Sequence, residues 1–271
     1  MEDTEVQTEE EVDVNRFVAD GLALRDARLR SIMADIQQWS ATKWTSDDAP
    51  NLVVYSIIEL AYSYAKRAND LIESMKSLML SDRLVPSIIL ARALVETIAM
   101  GRYFIEKIED GVRSVDFPKI EKFFYRFYAG SKLENAKVKT IHVNDALREL
   151  EAIDFRYVPH LADKHPHLWA LVGNDPIQTF KDRASILTTY DKLSEISHPN
   201  GLGTQYLYPA SDAPDNTVAV AFYRHMTGVA IWQAHHLLTA LECFKDFPDR
   251  FVATFPTTTR FSADNPLNGT P

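Results

Sequence analysis

Arg92 and Glu96 are the side chains whose position most demands a chemical explanation. They interrupt the run from Leu84 to Ile108, LVPSIILARALVETIAMGRYFIEKI, in which apolar residues between Leu84 and Met100 fall on nearly every side of a helical wheel. A helix that is apolar all round is one surrounded by others, and an unpaired charge buried there is expensive. Being one turn apart, the two share a face. Base before acid is the weaker order for a pair within one helix, which leaves two readings. Either each charge pairs with another helix and sets the register of a bundle, or both line an internal polar pocket where Arg92 forks onto a carboxylate or phosphate. If the pair is fully buried, truncating one partner costs about 3–5 kcal/mol.

A second constellation is TTYDKLSEISHPNGLG, Thr188–Gly203. Tyr190, Ser194 and His198 recur every four residues, so their polar tips form one helical stripe. His198 stands in a last turn, where the helix C-terminus favours its protonated form, and Pro199 ends the helix. No acid is placed by the sequence to orient His198, so the stripe is not a catalytic triad. A purely structural His at a helix end is the alternative.

Other candidates are weaker. His160, Asp163, His165 and His167 cluster, but Pro159 and Pro166 suit a surface loop and the group lacks a zinc spacing. Glu195 and His198 make half of a di-iron pattern whose second half is absent. His225, His235 and His236 lie beside Trp232, where core or partly exposed histidines are expected. Cys243, the single cysteine, excludes a disulfide framework and a cysteine-rich zinc site. It falls in an apolar helical run, where a buried, inert thiol is expected. No phosphate-binding glycine loop or nucleophile elbow occurs, and no metal or cofactor is expected.

The elements that must position these groups are helical throughout: an all-α, single bundle of five to seven helices. Residues 1–14 are expected to be a disordered acidic leader. Residues 15–247 are the bundle and 248–271 an extended, irregular tail. Within the bundle, Asn15 caps a first helix to Trp39, with Ile32, Ile36 and Trp39 in its core stripe. Asp48 and Pro50 open a second, to Leu80, and the third carries Pro86 in its first turn. Gly111 to Phe117 is a turn, and Pro118 opens KFFYRFY, whose aromatics suit core on one half and a partner interface on the other. A short helix, Asp145–Ile153, precedes a loop over Asp154–Asn174. Asp175–Ser197 is helical, Gln205–Tyr208 and Thr217–Phe222 allow a hairpin, and Val218–Phe244 is the last strong helix.

The motifs LxRALVE and YxxLSxxxHPN resemble those of uncharacterised bacterial helical-bundle families and, more distantly, of HEPN (higher eukaryote and prokaryote nucleotide-binding) domains. The resemblance spans Leu52–Phe244. It implies that Arg92, Glu96, Tyr190 and His198 occupy the polar signature of such families. HEPN nucleases place a His four to six residues after an Arg on one helix. The nearest approach here, Arg156–His160, has Pro159 before the His.

Charge narrows the function further. Of the net charge of −9, the first fifteen residues contribute seven acids and no base, so the remainder is near neutral. That argues against broad nucleic-acid binding. The N-terminus lacks a basic–apolar signal pattern, and Arg92 and Glu96 break the longest apolar stretch, against a membrane span. The expectation is a soluble, cytoplasmic, non-catalytic binding module. Its pocket is Arg92, Glu96, Tyr190, Ser194 and His198, and it takes a protein partner or a small anionic ligand. A homo-oligomer through KFFYRFY is a further option, and the rival function is a HEPN-like ribonuclease acting on RNA.

Overall fold

The apolar run around Arg92 is the axis of the molecule. The computed structural model describes residues 27, 30–43, 51–81, 83–129, 141–164, 185–197 and 217–258, with side chains except at 129, 154–164 and 217–223. Among the described residues all regular structure is helical and no strand occurs. Residues 30–41 form α1. There follow α2 (Leu52–Leu80), α3 (Leu84–Arg113), α4 (Phe117–Ala129) and α5 (Val143–Lys164). The rest are α6 (Ile186–Ser197), α7 (Thr217–Trp232), α8 (His235–Cys243) and α9 (Phe247–Thr254).

Helix α3 packs against each of α2 and α4 to α9. Ile88, Leu94, Ile98, Phe104 and Ile108 are fully buried around it, as an all-round apolar pattern requires. By length and composition α3 could cross a membrane, yet half of its most apolar stretch is buried against the other helices. Where side chains of neighbouring helices crowd its backbone, α3 uses glycine. A Cβ on Gly101 would lie 2.8 Å from the Cβ of Tyr64, and one on Gly111 would lie 2.3 Å from Cγ1 of Ile120. Gly111 is therefore inside the last turn of α3 rather than in the expected turn, because α4 sits where its side chain would be.

The turn itself comes three residues later. Val115 N–H donates to Val112 O at 3.1 Å and Asp116 N–H to Gly111 O at 3.0 Å, the paired bonds of a Schellman ending. Its left-handed position is held by Val115, at φ 54°, where a β-branched residue is strained and glycine is usual.

Several boundaries differ from the sequence reading. Asn51, not Asp48, caps α2: its Oδ1 accepts from Val54 N–H at 2.9 Å. The expected loop after Ile153 is helical to Lys164, since adding a residue to an existing helix costs far less than starting one. Thr217–Phe222, one arm of the expected hairpin, is the first part of α7; Gln205–Tyr208 lies outside the described residues, as do 1–14. The single helix expected over Val218–Phe244 breaks at Gln233–Ala234. There Ala234 N–H bonds Ile231 O and His236 N–H bonds Gln233 O, both at 3.0 Å, a tightened turn that interrupts the α register.

The tail expected to begin at Pro248 is also corrected. Pro248 stands in the first turn of α9, where its missing N–H is harmless. Phe247, Phe251 and Phe255 then recur at four-residue spacing and are buried, with ring centroids 5.5 and 5.1 Å apart along the stripe. Their apolar area gives this segment its helix. The aromatics of α4 likewise turn inward: Phe124, Tyr125 and Phe127 are buried, and Tyr128 alone of that group is mostly exposed, at 66%.

Candidate functional site

Helices α3 and α6 bring the two sequence constellations into contact. Ser185 caps α6 by accepting from Thr188 N–H at 3.2 Å. Ile186, Thr189, Leu193 and Ile196 bury one face of α6, which sets the edge carrying Tyr190 beside Arg92 and Glu96. The Tyr190 hydroxyl accepts from Arg92 Nη2 at 3.0 Å and donates to Glu96 Oε1 at 3.2 Å. Glu96 Oε1 also lies 3.3 Å from Arg92 Nε, an ion pair whose angle makes no hydrogen bond, so that Nε is buried without one. The guanidinium carbon stands 5.2 Å from the Tyr190 ring centroid, within cation–π range.

The resulting triad has a used edge and an open one. A guanidinium carries five N–H donors in a fixed planar fork. Tyr190 and Glu96 occupy the edge made by Nε and Nη2. Among the described residues, Nη1 makes no hydrogen bond, and the one bond of Nη2 goes to Tyr190, so a second N–H on Nη2 stays unused. The side chains are 25% exposed at Arg92 and 34% at Glu96, so the pair is half-buried rather than sealed in the core. That correction lowers its expected weight in stability from the cost of a buried pair toward that of a surface one.

Ser194 does not join the triad through its proton. Its Oγ donates to the backbone carbonyl of Tyr190 at 2.7 Å, the back-bonding common for serine inside a helix. His198 lies outside the described residues, as do His165 and His167 and the side chains of His160 and Asp163.

A second polar region was missed in the sequence. A cleft of about 1050 Å³ runs between the C-terminal half of α3, α5 and the α8–α9 corner. Its charges are paired before any ligand arrives. Arg102 donates from Nε to Glu106 at 2.7 Å, Lys107 donates to Glu149 at 2.9 Å, and Arg113 and Lys245 pair with Asp110 and Glu242. Arg250 grips Glu109 with both Nη atoms at 2.6 and 2.5 Å, and donates from Nε to Asp246 at 2.9 Å and from Nη2 to Cys243 O at 3.3 Å. These bonds, those to Glu109 first, raise the Arg250 pKa against the opposing effect of burial. At Lys107 burial disfavours the charge, but the bond and charge of Glu149, with Tyr103 and Asp110, outweigh it and raise the pKa. Burial, with the charge of Glu149 next, raises that of Tyr103.

Arg102 also reaches across to α8. Its Nη1 lies 3.1 Å from Nδ1 of His236, and because a guanidinium can only donate, Nδ1 is the acceptor in this contact. His236 is 2% exposed. The break between α7 and α8 lies between it and His225, which is exposed. Cys243 is exposed and lines the cleft rather than being buried. The available signal for this region was the charge spacing on α3: Glu106 follows Arg102 by one turn and Glu109 by two, which puts all three along one side of the helix.

No group of three or more His, Cys, Asp or Glu side chains is arranged to hold a metal ion among the described residues. Comparison with protein-family models, curated proteins and solved structures finds no match to this chain.

Proposed function

We propose that this protein is a non-catalytic binding module that receives an anionic group of a small ligand or a protein partner at Arg92. One observation carries the reading. Arg92 is partly exposed and held in place by Tyr190 and Glu96, yet among the described residues its Nη1 makes no hydrogen bond and its Nη2 donates only to Tyr190. A guanidinium already oriented in this way binds an anion without first ordering a long side chain, and that is the main cost such a contact avoids. Glu96 cancels the net charge, so affinity is modest, with Kd of roughly 1 mM for a single small anion, or about 4 kcal/mol. A soluble cytoplasmic setting belongs to the same proposal, with an acidic partner surface supplying further contacts.

The test is a titration of purified protein with a short acidic peptide, followed through the backbone amide resonances of residues 92, 96 and 190. Saturable shifts there that vanish in Arg92→Ala are expected. Equal binding by the variant, with its fold intact by circular dichroism, overturns the proposal. The rival ribonuclease needs His198 near Arg92 as general acid or base. Cleavage of total RNA that is lost in His198→Ala would favour it instead.

A further inference from the structure

We infer that the anion taken by Arg92 is a carboxylate rather than a phosphate, and that Glu96 is the positioning residue that makes this choice. The inference rests on the binding reading above and narrows it. Arg92 Nη2 donates one N–H to Tyr190 at 3.0 Å and Nε lies 3.3 Å from Glu96, which leaves Nη1 and the second N–H of Nη2 as one two-pronged face. Two parallel N–H bonds match the two oxygens of a planar carboxylate. A phosphate on the same face would keep at least one charged oxygen with no protein donor from the triad.

Net charge selects in the same direction. Attraction to a site grows linearly with the ligand's charge, whereas the cost of removing an ion from water grows with its square. A bare arginine would offset that cost for a dianion. Here Glu96 Oε1, 3.3 Å from Nε and hydrogen-bonded by Tyr190 at 3.2 Å, cancels most of the field beyond contact distance. The fit of the fork is what remains, and fit favours the singly charged, planar group. Tyr190 has its proton directed to Glu96, so it fixes the carboxylate without offering a donor to a third ligand oxygen.

The probes are sodium acetate and inorganic phosphate at constant ionic strength and about pH 8, above the second phosphate ionisation. Both are titrated into the full chain and read at the backbone amide resonances of residues 92, 96 and 190, which every variant retains. The wild type is expected to bind acetate at least about fivefold more tightly than phosphate. Glu96→Gln, which removes the charge and keeps the shape, is expected to reverse that order by strengthening phosphate. Arg92→Lys, which keeps the charge and removes the fork, is expected to weaken acetate about tenfold and phosphate much less. Phosphate binding more tightly than acetate to the wild type overturns this inference and leaves the binding reading standing. So does an order of preference that Glu96→Gln does not change. Neither ion binding, or both binding Arg92→Ala as well as the wild type, overturns the two together.

Discussion

Arg92 and Arg250 differ little in exposure, 25% and 34% of the side chain, and both face an acid on α3. They differ in how many donors the protein consumes. Arg250 makes four hydrogen bonds, two of them a bidentate grip on Glu109, and ties α9 to the end of α3. Arg92 makes one, to a phenol. Exposure therefore does not distinguish the two arginines, whereas the count of unused N–H groups does. Both sites sit on the same central helix, which is locked at one end and, on the proposed reading, is a binding platform nearer the other.

The largest expected effect breaks the lock. Arg250→Ala leaves Glu109, whose side chain is 12% exposed, without its counter-ion, and is expected to cost about 3 kcal/mol in urea denaturation. A cost no greater than that of Arg92→Ala would erase the distinction drawn between the two arginines. Next comes Gly111→Ala, whose Cβ would press into Ile120 at 2.3 Å. A loss of about 2 kcal/mol is expected, with backbone resonance changes around α4 and the lock but not at Arg92 or Tyr190. Val115→Gly relieves the left-handed strain at φ 54°, and a gain of about 1 kcal/mol should appear in the thermal midpoint.

The receptive site should respond least in stability. Arg92→Ala is expected to cost below about 1 kcal/mol while abolishing anion binding; a larger loss would mean that Arg92 is a lock as well. The cleft near the lock should register in alkali. The raised pKa of Lys107 means that the folded chain holds that proton more tightly than the unfolded one. Its contribution is then complete below the ordinary lysine value of 10.5 and lost as pH rises through the folded value. Lys107→Met should flatten the decline of stability above that pH, while Arg92→Ala should leave it unchanged.

How much of this was legible beforehand can be argued residue by residue. Arg92, Glu96 and Tyr190 were readable because helical spacing alone puts Arg92 and Glu96 on one face, and a charged face on an apolar helix must meet something polar. Ser194 was misplaced because a serine in mid-helix can satisfy itself on its own backbone, and spacing does not reveal that choice. Arg250 was overlooked because Pro248 suggested an end to helical structure. The buried stripe Phe247, Phe251 and Phe255 was the contrary signal in the same segment.

By itself the chain determined an all-helical fold, the apolar helix at its centre and the pairing chemistry available there. These follow from local periodicity and from the cost of burying charge, both properties of short stretches of sequence. Only the tertiary structure decided which acid each arginine meets, how many of its donors are consumed, and that Gly111 and Cys243 stand where they do. Those outcomes depend on contacts between residues as far apart as Glu109 and Arg250, and no local rule carries that information.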